Sequence, residues 1–93
     1  MKIKILKSFS LILADQVEYI AKDKPEAARK FKVDIIKAIS NIADLPYGNK
    51  KSIYFEDSTI RDLTFKGYTI VYRIKETENI IEVFGFIKFR EKL

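Results

Sequence analysis

The sequence predicts an α+β fold: an N-terminal strand, an antiparallel helical hairpin, then a three-stranded antiparallel sheet (β-α-α-β-β-β) with the helices packed on one face. Three observations carry this. Apolar residues recur in steps of three and four from Phe9 to Leu45, and between Ile60 and Arg90 the period drops to two. Pro25, the run Pro46-Tyr47-Gly48-Asn49 and the pair Lys66-Gly67 sit at the joins. At 93 residues the chain predicts one domain, residues 1–93. A chain of this size buries roughly 60 to 65 % of its unfolded surface, enough for one core.

Each element has its own signal. Lys2, Lys4 and Lys7 alternate with Ile3, Ile5 and Leu6, a pattern that suits a first strand whose alternation fails near its end. Ser8 is placed to cap a helix over residues 9–22, with Phe9, Leu13, Val17 and Ile20 along one side. Asp23-Lys24-Pro25-Glu26 then reads as a stop and a restart, with Asp23 as cap, Pro25 in the first turn and Glu26 reaching back as in a capping box. Ala28, Phe31, Ile35, Ala38, Ile42 and Leu45 form the apolar stripe of a second helix ending near Ala43. So short a link makes the two helices an antiparallel hairpin.

The three later strands are read by parity, since successive side chains point to opposite faces. Tyr68, Ile70, Tyr72 and Ile74 face the helices, which makes both tyrosines packing residues. In the last strand Ile81, Val83, Ile87 and Phe89 suit the core. The outer face is then expected to carry Arg73, Lys75, Phe84, Phe86, Lys88 and Arg90. Gly85, inside a strand, signals a bulge or a close approach of backbone. Arg61 falls on the face of Leu63 and Phe65, unless a bulge separates them. It is open to pairing with Glu56 or Asp57 or to binding a target.

Composition excludes several chemistries. There is no cysteine, hence no disulfide, thiolate metal site or cysteine nucleophile, and no histidine, which removes the usual general base. Ser8, Ser10 and Ser58 therefore lack an activating base. The pairs Asp15/Glu18 and Glu56/Asp57 read as solvated faces, so neither a metal nor another cofactor is expected. The N-terminus has neither a long apolar run nor a small-residue cleavage site, which predicts no signal peptide, no membrane association and a cytoplasmic location. The net charge of +5 favours anionic partners. Nine basic residues lie in residues 1–46 and nine in residues 47–93, so the charge is spread along the chain and not held in a tail.

The order strand, helix, helix, three strands, with YIAKDKPEAARKF at Tyr19 to Phe31 and IRDLTFKGYTIVYRI at Ile60 to Ile74, resembles the RelE/ParE superfamily of bacterial type II toxin–antitoxin modules. The P-x-A-A-x-x-F helix opening and the R-x-L followed by G-Y-x-I-x-Y carry the resemblance, which spans nearly the whole chain. It implies a growth-inhibiting toxin neutralised by a cognate antitoxin, itself acidic and partly disordered when free.

The superfamily divides by mechanism. In its ribosome-dependent mRNA endonucleases, basic residues on the central strands and at the end of the last strand hold the scissile phosphate. Here the matching cations are Arg73, Lys88 and Arg90. Alignment on Leu63 and Gly67-Tyr68 puts Asp62 where that branch has a lysine and Thr69 where it has an arginine. A carboxylate there opposes the negative charge developing at phosphorus. The hairpin entered through Pro25-Glu26-Ala27-Ala28 resembles instead the ParE branch, which implies binding to DNA gyrase. Arg61, Arg73, Phe86, Lys88 and Arg90 are the candidate target-binding residues. A ribosome-dependent ribonuclease and a non-toxic RNA-binding or structural module are the alternatives.

Overall fold

The structure is a computed structural model and describes residues 1–88. Its elements, in order, are β1 (Lys2–Ile5), α1 (Lys7–Asp23), α2 (Pro25–Ser40), β2 (Lys50–Lys51), β3 (Ile60–Phe65), β4 (Tyr68–Lys75) and β5 (Ile80–Lys88). Short 3-10 turns at Asn41–Asp44 and Pro46–Gly48 carry the chain out of α2. The α+β class and the order of the expected elements hold. The sheet is larger than expected: five strands in the order β1-β5-β4-β3-β2. It is also mixed, because β1 lies parallel to β5 while the remaining neighbours are antiparallel.

The helices form without the caps their sequence advertises. Leu6, in extended conformation, precedes α1, and Ser8 lies within its first turn. Lys24 alone separates the helices. Its N–H donates to the Ile20 carbonyl at 2.8 Å, and its own carbonyl accepts from Ala28 N–H at 3.0 Å. Pro25 explains the break, because its ring excludes the residue before it from the helical region, and Lys24 sits at φ −136°, ψ 82°. Asp23 ends α1 and makes no cap bond to α2, and Glu26 pairs with Arg29 at 2.8 Å, one turn on, in place of reaching back.

The core lies between the hairpin and one face of the sheet. Phe9 and Leu13 of α1 meet Phe31, Ile35 and Ile39 of α2 over Tyr68, Ile70, Tyr72, Ile74, Ile81 and Val83. Ile39 takes the buried position expected of Ala38, and Leu45, expected at the end of the stripe, is 68 % exposed because the 3-10 turns lead it away. β3 and β4 are joined by Lys66-Gly67, both at positive φ (45° and 82°), the backbone of a primed hairpin turn.

One irregularity decides where the side chains of β5 point. Val71 pairs with Gly85, but Tyr72 pairs with Val83, which leaves Phe84 as an extra residue opposite β4. Parity therefore inverts after Phe84. Phe86, expected outside, pairs with Ile70 on the helix side, and Ile87, expected in the core, pairs with Thr69 on the outer side. A Cβ on Gly85 would lie 2.8 Å from the Val71 Cβ, so the strands approach too closely there for any side chain. Gly85→Ala is expected to destabilise the fold by about 1 to 3 kcal/mol in urea unfolding, through forced separation of β4 and β5. Unchanged stability would show that the close approach is absent.

Candidate target-binding site

Arg61 is built into the fold. Alternation in β3 is unbroken, so its side chain shares the helix-side face with Leu63 and Tyr72. Its guanidinium donates to the carbonyls of Ser58 (3.0 Å), Asn49 (3.1 Å) and Tyr47 (3.4 Å) and lies 4.9 Å from the centre of the Tyr47 ring. Its hydrogen bonds thus go to backbone carbonyls and not to Glu56 or Asp57. Tyr72 works beside it: its hydroxyl donates to the Pro46 carbonyl at 2.6 Å and accepts from Asn49 Nδ2 at 3.1 Å. Arg61 and Tyr72 together hold the turn after α2 against the sheet. Burial raises the Tyr72 phenol above its ordinary pKa of 10.0, so it remains a donor throughout the neutral range.

Arg73 lies on the outer face, opposite Ile60 and Glu82. Its guanidinium sits 5.2 Å from the Phe84 ring centre and 3.5 Å from Glu82 Oε1, while Lys75 approaches the other oxygen of Glu82 at 3.3 Å. One carboxylate thus serves two cations, and the Arg73 contact is at the long limit of a hydrogen bond. Its side chain keeps 38 % of its surface exposed, which leaves charge for a partner.

Phe86 and Lys88 belong to the other side of the sheet. The Phe86 ring stands edge-on to Phe9 at 5.5 Å and stacks on Tyr68 at 5.0 Å. Lys88, paired with Tyr68, places its ammonium 5.7 Å from the centre of the exposed Tyr19 ring of α1. Arg90 lies outside the described residues. The candidates therefore occupy three places: Arg73 on the outer face, Phe86 and Lys88 by the hairpin, and Arg61 beside the turn after α2.

The outer face is not bare. Ile60 and Val71 point into it and are each 1 % exposed, Asp62 is 2 % exposed, and the loop Ser52–Thr59 lies against it. Phe55 from this loop stands edge-on to Phe84 at 5.7 Å, and Ile53 N–H donates to Asp62 Oδ2 at 3.0 Å. Further bonds inside the loop fix its shape. Tyr54 N–H donates to Ser52 Oγ, and both the N–H and the hydroxyl of Thr59 donate to Asp57 Oδ1, which holds the Asp57 carboxyl below its usual pKa.

A second surface lies at the opposite edge of the sheet. Ile5, Phe9, Leu13, Val17 and Ile36 line an apolar groove of about 410 Å³, with Glu18 and Lys32 at its rim. Its signal in the sequence is the pair of apolar doublets Ile5-Leu6 and Ile35-Ile36, which widen an apolar stripe beyond what one core contact needs.

A basic chain folded as a helical hairpin across one face of a mixed sheet, with exposed cations and apolar surface, defines a small α+β domain of one sheet and one helical layer. The chain belongs to the family described as ParE toxin of type II toxin–antitoxin system, parDE, whose model matches residues 3–92. Among solved structures, one described as the chromosomal ParDE TA system from P. aeruginosa has the same fold. The TM-score is 0.80 with 97 % of each chain covered, at 18 % sequence identity. No curated protein matches the chain.

Tyr72→Phe is expected to lower stability by about 1 to 3 kcal/mol, because the Pro46 carbonyl and the Asn49 amide lose their shared partner in a part-buried site. Urea denaturation measures this, and a variant as stable as the parent would show that the hydroxyl does not hold the turn.

Proposed function

We propose that this chain is the growth-arresting toxin of a type II toxin–antitoxin module. In this reading it acts in the cytoplasm by binding DNA gyrase and is held silent by a cognate antitoxin. The observation that carries the choice of binding over RNA cleavage is the placement of the cations. A ribonuclease site must gather positive charge around one phosphate. Here Arg73 and Lys88 lie on opposite faces of the sheet, divided by the bulge at Phe84. Asp62, at the position where the endonucleases carry a lysine, is buried and anchors a loop.

Membership of the ParE family and the likeness to a ParDE structure support an antitoxin partner. In this reading the antitoxin occupies the groove lined by α1 and α2 with Ile5 of β1 at its edge. An acidic amphipathic segment would lay its apolar side on Leu13 and Ile36 and its carboxylates near Lys32. The net charge of +5 favours the same encounter at long range. Arg73 and Lys88 remain the proposed target contacts that keep accessible charge, with Arg90 two residues beyond Lys88 in sequence.

Purified protein added to a gyrase supercoiling assay and to a translating ribosome mixture separates the mechanisms. Supercoiling is expected to be inhibited while mRNA stays intact. Cleavage of mRNA in the ribosomal A site, with supercoiling untouched, would overturn the proposal.

A further inference from the structure

The loop between β2 and β3 has no role in the site as first read from the cations, yet it presents the most concentrated exposed apolar surface of the described residues. Ile53 is 72 %, Tyr54 47 % and Phe55 43 % exposed, three large apolar side chains in succession. Such a run is unfavourable on a free surface and is kept where a partner covers it. It is also rigid. Ser52 N–H bonds to the Ile60 carbonyl, Ile53 N–H to Asp62, Tyr54 N–H to Ser52, and the Phe55 ring is set against Phe84. A loop held in this way loses little conformational freedom when it binds, which is what a docking element requires.

Its surroundings indicate what it binds. Lys50 and Lys51, both exposed, precede the apolar run, and Glu56 and Asp57 follow it; the outer face beside the run is set by Lys50 and Arg73. Lys50 pairs with Asp62 and so shares the outer face with the loop and with Arg73. An apolar tip beside cations fits a protein surface with an apolar pocket and an acidic rim. Nucleic acid fits less well. Of the three side chains only Tyr54 offers a ring not already stacked on another, since Ile53, the most exposed, has none and Phe55 is engaged with Phe84. The antitoxin groove borders β1, and β1 and β2 are the two opposite edges of the sheet. We infer that Ile53, Tyr54 and Phe55, with Lys50 beside them, dock the toxin onto an acidic, apolar site of its protein target.

This inference rests on the reading of the chain as a toxin that acts by binding a protein, and the experiment separates the two. Ile53→Ser/Tyr54→Ser, at two exposed positions, is compared with the parent chain expressed without any antitoxin, so loss of arrest cannot come from antitoxin binding. The expected result is loss of growth arrest and at least about tenfold weaker retention of purified gyrase, the scale of a lost interface anchor, with an unchanged melting temperature.

Wild-type arrest by the variant overturns the inference. So does conversion of a parent dimer to a monomer, which makes a second copy the occupant, and so does loss of binding to a single-stranded RNA probe, which makes it nucleic acid. If the parent arrests growth but neither retains nor inhibits gyrase, the gyrase reading fails and the inference is decided by arrest alone. If the double variant melts early, Lys50→Glu takes its place, with weakened arrest expected and unweakened arrest contradicting.

Discussion

The close approach of β4 and β5 at Gly85 is the constraint on which the rest of the molecule depends. A Cβ there would meet Val71 at 2.8 Å, so only glycine permits the contact, and the extra residue Phe84 is accommodated beside it. The effect is to divide three neighbouring side chains between two environments. Phe84 stays outside under Arg73 and Phe55, while Phe86 passes beneath the hairpin to join Phe9 and Tyr68. Lys88 follows Phe86 to the helix side. A regular β5 would have lined up the cations on one face. The bulge instead sets Arg73 and Lys88 on opposite faces.

The outer face owes its second layer to Asp62. A buried carboxylate is costly unless it is hydrogen-bonded. Among the described residues Oδ2 accepts from Ile53 N–H, while Oδ1 has no hydrogen-bond partner. A stability-driven choice at this position would be apolar, like its neighbours Ile60 and Val71. The carboxylate instead fixes where the Ile53–Phe55 segment starts, which accords with a loop held in shape for recognition. Arg61 and Tyr72 do comparable work on the other side, where they pin the turn after α2 through backbone carbonyls. Polar groups in this protein chiefly hold loops in place around an apolar core.

Much of the architecture was legible from periodicity alone. Steps of three and four along Phe9, Leu13, Val17 and Ile20 identified the inner side of α1, and alternation placed Tyr68, Tyr72, Ile81 and Val83 correctly in the core. Gly85 is a visible sign of irregularity, but a glycine does not say which neighbouring residue becomes the extra one, so strict alternation puts Phe86, Ile87 and Lys88 on the wrong faces. The parallel pairing of β1 with β5 joins residues nearly eighty positions apart, as Lys2 and Ile80 are, and no local pattern encodes it. Ser8 and Asp23 were plausible caps, but the extended Leu6 and the steric demand of Pro25 on Lys24 set the helix starts. The site was less legible than the fold, because the partners of Arg61 and Asp62 lie in loops whose course tertiary packing decides.

Aromatic cross-peaks in a nuclear Overhauser spectrum report the division of β5 between the two faces of the sheet. Contacts are expected from the Phe86 ring to Phe9 and Tyr68, and from the Phe84 ring to Phe55. Cross-peaks joining Phe86 to Phe55, with Phe84 and Phe86 on one face, would contradict it.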